Sequence, residues 1–307
     1  MRMKFGRVND PAAVDYTLRP DPPANARLLE RHFDADARPT RFYVGATGWS
    51  MREWVGTTYP KGARPVDFLK HYGEQFNTIE LNSTHYRIPD AATVERWRDA
   101  VPDDFRFCPK IPQSISHARG LGLQEPPLEL FVKNIVLLRA KMGCCFMQLP
   151  PFFKPDRLPL LRRFLEQFPA DIPLAVEVRH EDWFRDAAAL AALLELLETH
   201  HRPAVITDVP GRRDAAHMSL TAPIAMLRWN GNGLHPTDYS RTDEWIARLN
   251  NWADAGLREC YVFTHEPDNV LAPEMAQYWV EQLRERLGAE VRGPVFHRDE
   301  GAQMRLF

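Results

Sequence analysis

Thr78-Ile79-Glu80-Leu81-Asn82 is the run on which the fold reading turns. Apolar Ile79 and Leu81 alternate with Thr78, Glu80 and Asn82, so a strand here sends its polar set to one face. Runs of the same kind recur along the chain: Phe42-Tyr43-Val44-Gly45-Ala46, Phe105-Arg106-Phe107-Cys108-Pro109-Lys110 and Cys144-Cys145-Phe146-Met147-Gln148-Leu149. They continue with Leu174-Ala175-Val176-Glu177-Val178-Arg179, Ala204-Val205-Ile206-Thr207-Asp208, Ile224-Ala225-Met226-Leu227-Arg228 and Tyr261-Val262-Phe263-Thr264-His265. Parallel strands covered by helices should be apolar on both faces. A charge there costs several kcal/mol unless it is paired or wet. Nearly every run nevertheless ends on a charged or amide residue, which predicts one shared polar pocket.

Helical faces lie between the runs. Phe68, Leu69, Tyr72 and Phe76 form one; Val94, Trp97 and Val101 another; then Leu128, Phe131, Ile135 and Leu138. Leu158, Leu161, Phe164 and Leu165 follow, then Leu190, Leu193, Leu194 and Leu197, then Trp245, Ile246, Leu249 and Trp252, and last Met275, Trp279 and Leu283. Strand–helix alternation on this scale predicts an α/β fold with a parallel sheet, as a single-domain TIM-like (β/α)8 barrel. An open doubly wound sheet is the rival. It wants a glycine-rich turn after its first strand, and Gly45-Ala46-Thr47-Gly48-Trp49 lacks that spacing. The expected boundaries are an N-terminal extension over 1–40, the barrel over 41–290 and a C-terminal tail over 291–307. Pro20, Pro22, Pro23 and Pro39 make the extension read as a strap over the surface outside the core. Between Asp208 and Pro223, Gly211-Arg212-Arg213-Asp214 reads as a loop and Met218-Ser219-Leu220 as a short strand.

The 307 residues are 44% hydrophobic and 26% charged, with a net charge of -2. That balance is globular and gives no overall attraction to a polyanion. Four cysteines are too few for a disulfide scaffold. Neighbouring Cys144 and Cys145 face opposite ways on a strand and read as buried thiols. Met1 to Gly6 lacks the apolar core of a leader, and the longest apolar run, Ala187 to Leu194, is far short of a membrane span. A cytoplasmic protein is expected. No P-loop and no GxGxxG spacing occurs, so no nucleotide-cofactor motif is present, and no serine sits in a GxSxG elbow.

Four blocks together resemble a known family. They are Val44-Gly45-Ala46-Thr47-Gly48-Trp49-Ser50 with Trp54 and Tyr59-Pro60, and Phe76-Asn77-Thr78-Ile79-Glu80-Leu81-Asn82-Ser83-Thr84-His85-Tyr86-Arg87. Then come Phe105 to Lys110 with Ser116-His117, and Gln148-Leu149-Pro150-Pro151 with Val176 to Phe184. In this order they are similar to the YecE-like family, domain of unknown function 72. The resemblance implies a TIM-like barrel and no settled reaction. One departure is that many members carry an Asn pair after the last strand, where this chain reads Thr264-His265-Glu266-Pro267-Asp268-Asn269.

Active sites of TIM barrels lie at the C-terminal ends of the strands. Glu80 and Glu177 are the expected catalytic carboxylates, as acid and base. Asn82, Lys110, Gln148, Arg179, His180 and Arg228 are expected to bind substrate, the cations suiting a phosphate or carboxylate. Trp49, Tyr86 and Trp183 supply aromatic faces for a sugar or a base. The bland alternative is that Glu80 and Glu177 merely pair with Lys110, Arg179 or Arg228 inside the barrel. A divalent metal is a lesser expectation, with Glu177, His180, Asp208 and His265 as ligands. The function expected is an enzyme of hydrolase, isomerase or lyase type on a small anionic or sugar-like ligand. The alternatives are a nucleic-acid-binding or metal-dependent endonuclease-like barrel and a non-catalytic small-molecule binder.

Overall fold

The computed structural model of the protein describes residues 6–34, 39–123 and 125–297. Parts of the leader and tail readings, residues 1–5 and 298–307, lie outside these described residues. Among the described residues eight strands alternate with α-helices, except between β6 and β7, where only the short 3-10 turn Arg213–Ala215 intervenes: β1 Arg41–Gly45, β2 Thr78–Leu81, β3 Arg106–Pro109, β4 Cys145–Gln148, β5 Leu174–Glu177, β6 Val205–Asp208, β7 Ile224–Asn230 and β8 Glu259–His265. The helices are α1 Pro23–His32, α2 Phe68–Gln75, α3 Ser83–Tyr86, α4 Ala91–Ala100, α5 Gln113–Ser116 and α6 Pro126–Ile135. They continue with α7 Leu158–Gln167, α8 Asp182–Arg185, α9 Ala187–Thr199, α10 Pro236–Ala255 and α11 Ala272–Leu287. The class is α/β.

All strand pairs are parallel, in three sheets ordered β1-β8-β7-β6, β2-β3 and β4-β5. A few backbone hydrogen bonds link one sheet to the next. Glu80 N donates to Ala46 O at 3.1 Å, Ile111 N to Phe146 O at 2.9 Å, and Val176 N to Pro203 O at 2.9 Å. Gly45 permits the first of these approaches, because a Cβ there would sit 2.2 Å from the Thr78 carbonyl oxygen.

Period-two alternation sorts each strand into two environments. Tyr43, Cys108, Cys144, Phe146, Ala175, Val205, Met226, Tyr261 and Phe263 form one cluster between the strands. The alternate residues, such as Ile79, Leu81, Ile206, Leu227 and Val262, pack outward against the helices, as do Cys145, Met147 and Val176. Cys144 and Cys145 fall in different clusters, and all four cysteines are free and buried.

Two segments differ from the sequence reading. The N-terminal region does cross the surface, yet α1 also sends Leu28 and Leu29 into the core, because Pro22 and Pro23 start a helix with an apolar face. Met218-Ser219-Leu220 is not a strand. Met218 has φ 59°, and the Asn25 side chain takes its backbone groups, donating to Met218 O and accepting from Leu220 N. Among the described residues, no helix is long and apolar enough to cross a membrane.

Candidate functional site

Following the inward parity past the cluster between the strands leads to Thr78 and Glu80 on β2, Lys110 after β3, Gln148 on β4 and Glu177 on β5. It then reaches Thr207 on β6, Arg228 on β7 and His265 on β8. Six of these side chains form one continuous chain of hydrogen bonds. Lys110 Nζ donates to Gln148 Oε1 at 3.0 Å, and Gln148 Nε2 donates to Glu177 Oε2 at 2.7 Å. Arg228 Nη1 donates to the same Glu177 oxygen at 2.8 Å, while its Nε and Nη2 grip Glu80 at 2.8 and 3.0 Å. His265 Nε2 lies 3.0 Å from Glu80 Oε2. Asn82 Nδ2 donates to Glu80 Oε1 at 2.9 Å, and Arg179 Nε donates to Glu177 Oε1 at 2.9 Å.

The centre of this network is buried and its lip is not. Glu80, Glu177, Arg228, Lys110 and Gln148 are all buried, whereas the Arg179 and His265 side chains are 20% and 17% exposed. Burial works to raise the Glu80 pKa, but Arg228 and His265 override it and hold the carboxyl well below its usual range. Burial opposes ionisation of Glu177 likewise, and Arg179, Arg228 and Gln148 bring its pKa down to about 2. Both carboxylates are therefore charged at neutral pH. Burial, helped by the Arg228 charge, pushes the Lys110 ammonium down to about 8. Burial also lowers His265, outweighing the Glu80 carboxylate. A neutral His265 facing an ionised Glu80 must donate from Nε2–H, which leaves the lone pair on Nδ1.

Among the described residues, Lys110, Arg179 and Arg228 thus meet Glu80 and Glu177 here. Arg228 is shared between both carboxylates, and Arg179 also holds Glu177. Lys110 makes no ion pair with a carboxylate among the described residues; its other neighbour is the Phe146 ring, 5.6 Å away. Thr207 Oγ1, in register with Arg228, is buried with no hydrogen-bond partner among the described residues.

At the lip, Tyr86 is 70% exposed and sits edge-on to His85, 5.4 Å between centroids. His85 lies 5.3 Å from His117, which meets exposed Phe152. His85 Nδ1 contacts Ile111 O at 2.9 Å, and burial lowers its pKa to about 4. The ring is therefore neutral, with the proton on Nδ1 and the lone pair on Nε2.

Other expected residues lie elsewhere. Asp208 follows the outward parity of Ile206 and is sealed under α10 by Arg241 at 2.8 Å, Trp245 at 2.6 Å and Arg213. His180 Nδ1 accepts from Asp182 N at 3.1 Å and so braces α8. The set Glu177, His180, Asp208 and His265 is therefore not brought together. Among the described residues, no three His, Cys, Asp or Glu side chains are grouped to hold a metal ion. Trp183 is fully buried, stacked on Phe153, and donates from Nε1 to Phe153 O at 2.8 Å, so it offers no face to a ligand. Trp49 packs edge-on against Trp97. Trp229 points outward and lies under Arg241.

Sequence reading missed the orienting contact between His265 and Glu80, and passed over Thr207 and Glu266. Glu266 sits on the outward parity next to His265. Its Oε2 accepts from Gly233 N at 2.8 Å, Oε1 has no partner among the described residues, and burial lifts its pKa to about 7. Counting parity from His265 would have separated the two. A cavity of about 1110 Å3 opens at the opposite ends of the strands. Its arginines are already engaged: Arg41 with Glu259, Arg292 with Asp104, Arg284 with Val291 O and Arg106 with Asp103 O.

The family model described as a protein of unknown function, DUF72, matches residues 43–296. The chain is 30% identical over 263 residues to the UPF0759 protein YecE of Escherichia coli (strain K12), covering 80% of this chain and 93% of that one. It is 30% identical over 150 residues to the UPF0759 protein YunF of Bacillus subtilis (strain 168), covering 46% and 52%. A DUF72 family crystal structure from Thermotoga maritima MSB8 superposes with a TM-score of 0.62 at 26% identity, over 80% of this chain and all of that one. Another from Enterococcus faecalis V583 gives 0.63 at 18% identity, over 80% and 98%. With the match running from within β1 to beyond α11, the chain belongs to the DUF72 family.

Proposed function

We propose that this protein is an enzyme using acid–base chemistry on a small anionic or sugar-like molecule, of hydrolase, isomerase or lyase type, at the C-terminal mouth of a TIM-like (β/α)8 barrel. In the barrel reading the three sheets form one ring, β1 to β8 and back to β1. Support comes from the linking hydrogen bonds between the sheets and from an interior cluster fed by seven of the eight strands. A reducing compartment such as the cytoplasm suits its four free thiols.

The observation that carries the function is the charge imbalance of a buried site. Among the described residues Arg228 takes both carboxylates while buried Lys110 pairs with none, and a charge left over in a low-dielectric site is costly until a ligand of opposite sign arrives. A general acid or base works best with a pKa near the operating pH. The sequence reading assigned proton transfer to Glu80 and Glu177. Both stay ionised, so their work here is to hold Arg228 and orient His265. His265 then serves as the proton acceptor through Nδ1, and Lys110 as the donor and anion contact. Exposed Tyr86 and Phe152 would cover a sugar face. The same aromatic lip suits an unpaired base, and DNA affinity that falls steeply with salt would favour that second reading.

The test is thermal unfolding with inorganic phosphate, citrate and glucose 6-phosphate. At least one should raise the melting temperature of the wild type by a few degrees. Lys110→Met and Arg179→Gln should lose that shift, and exposed Arg162→Gln should keep it. No shift with any of the three, or a shift that survives Lys110→Met and Arg179→Gln, overturns the anion site.

A further inference from the structure

We propose that Lys110 forms an imine with its substrate, which is therefore an aldehyde or ketone that also carries a carboxylate or phosphate. The proposal rests on the enzyme reading above and adds to it the nucleophile and the reacting functional group.

The geometry separates Lys110 from an ordinary salt-bridge lysine. Arg228 takes both carboxylates of the site, so among the described residues Lys110 Nζ is left with an amide oxygen and an aromatic ring. Lys141, by contrast, pairs with Asp103 at 3.2 Å. An amine that is desolvated beside other cations is the setting in which lysine becomes nucleophilic. Burial and Arg228 lower Lys110 to about 8, so a useful share is neutral in mildly basic solution. Proton carriers stand around it. Lys110 is among the charges acting on His85, His117 and His265, and His85 and His265 each keep one ring lone pair. Thr207 Oγ1, buried on the same inward face with no partner among the described residues, offers a hydrogen bond to a group that enters.

The Nζ lone pair attacks the carbonyl carbon, the C–N bond forms and the C=O π pair moves to oxygen, which takes a proton. The nitrogen gives up a proton to a neighbouring imidazole. The nitrogen lone pair then expels the hydroxyl, which leaves with a proton as water. Carbonyl, neutral amine and one proton become a protonated imine and one water. A cationic nitrogen in place of the carbonyl oxygen eases proton loss or C–C cleavage at the adjacent carbon, which agrees with an isomerase or lyase.

The experiment traps the imine. Wild-type protein at pH 8 is mixed with glyoxylate, pyruvate or dihydroxyacetone phosphate, reduced with sodium borohydride and mapped by peptide mass spectrometry. At least one probe should leave its reduced adduct on Lys110, at least about tenfold above exposed Lys70 and Lys154. Lys110→Met should abolish the adduct. Lys110→Arg keeps the positive charge, so it should abolish the adduct while retaining anion-induced stabilisation. The proposal is overturned if no probe marks Lys110, or if Lys70 and Lys154 are marked equally. Thermal stabilisation by phosphate or citrate in the same preparation shows separately whether the anion site stands when the imine does not.

Discussion

Replacing Lys110 with Met tests the electrostatics of the site without any knowledge of substrate. Met keeps most of the length of the side chain and removes the buried charge. In the folded protein the ammonium is pushed down to about 8 from its ordinary 10.5, chiefly by burial. A shift of that size corresponds to about 3 kcal/mol at 1.36 kcal/mol per unit. The sign follows from proton linkage. Between about pH 8 and 10.5 the unfolded chain binds the proton and the folded chain does not, so stability rises with pH across that window. It is fully present above the unfolded value and lost as pH falls through about 8. Urea unfolding of wild type and Lys110→Met, every half unit from pH 6.5 to 10.5, gives the difference in free energy between them. Tyrosine and cysteine titrations common to both proteins cancel in that difference. The wild type should gain about 3 kcal/mol on the variant across the window and nothing below pH 7. A difference that stays flat to pH 10.5 would mean that Lys110 titrates like an exposed lysine and that its site is wet, which would refute the reasoning.

Arg228→Met should cost about 3–5 kcal/mol in denaturant unfolding, because it leaves Glu80 and Glu177 buried without their shared guanidinium. The triple replacement Glu80→Gln, Glu177→Gln and Arg228→Met should recover most of that loss, and equal losses in both proteins would argue against a shared network. Glu266→Gln should flatten the stability profile between about pH 4.5 and 7. The Glu266 carboxyl is raised to about 7, so its contribution is full below the unfolded value and disappears as pH rises through about 7. An unchanged profile in matched urea titrations would exclude this. Trp183→Phe should lower stability by about 1–2 kcal/mol through loss of the bond to Phe153 O, with ligand-induced thermal shifts unaltered. Weakened ligand binding at intact stability would return Trp183 to the site.

Much of the architecture was legible because strand order and helix faces are written locally. All eight strands appear where the apolar runs fall, and the seven helices expected from β1 onward form on the faces that Leu, Phe and Trp mark out. The convergence of Glu80, Lys110, Gln148, Glu177 and Arg228 was legible for the same reason, since each closes a strand on the polar parity. Asp208 and Trp183 went astray because type and position along the chain do not reveal which face a residue takes at a strand end or in a loop. Asp208 shares the parity of Ile206, so it turns to α10, where Arg241 and Trp245 arrive from residues more than thirty positions away. α1 was hidden behind its prolines, which can open a helix as readily as they end one.

Local chemistry, then, was enough to settle the α/β class, the positions of the strands and the family, because hydrophobic period and short motifs need only near neighbours in the chain. Charge state was different. Whether Glu177 is acid or anion, and whether Lys110 is ammonium or amine, depends on how deeply each is buried and on which arginine stands 3 Å away. Those distances join residues 51 and 148 positions apart, and they exist only once the chain has closed on itself.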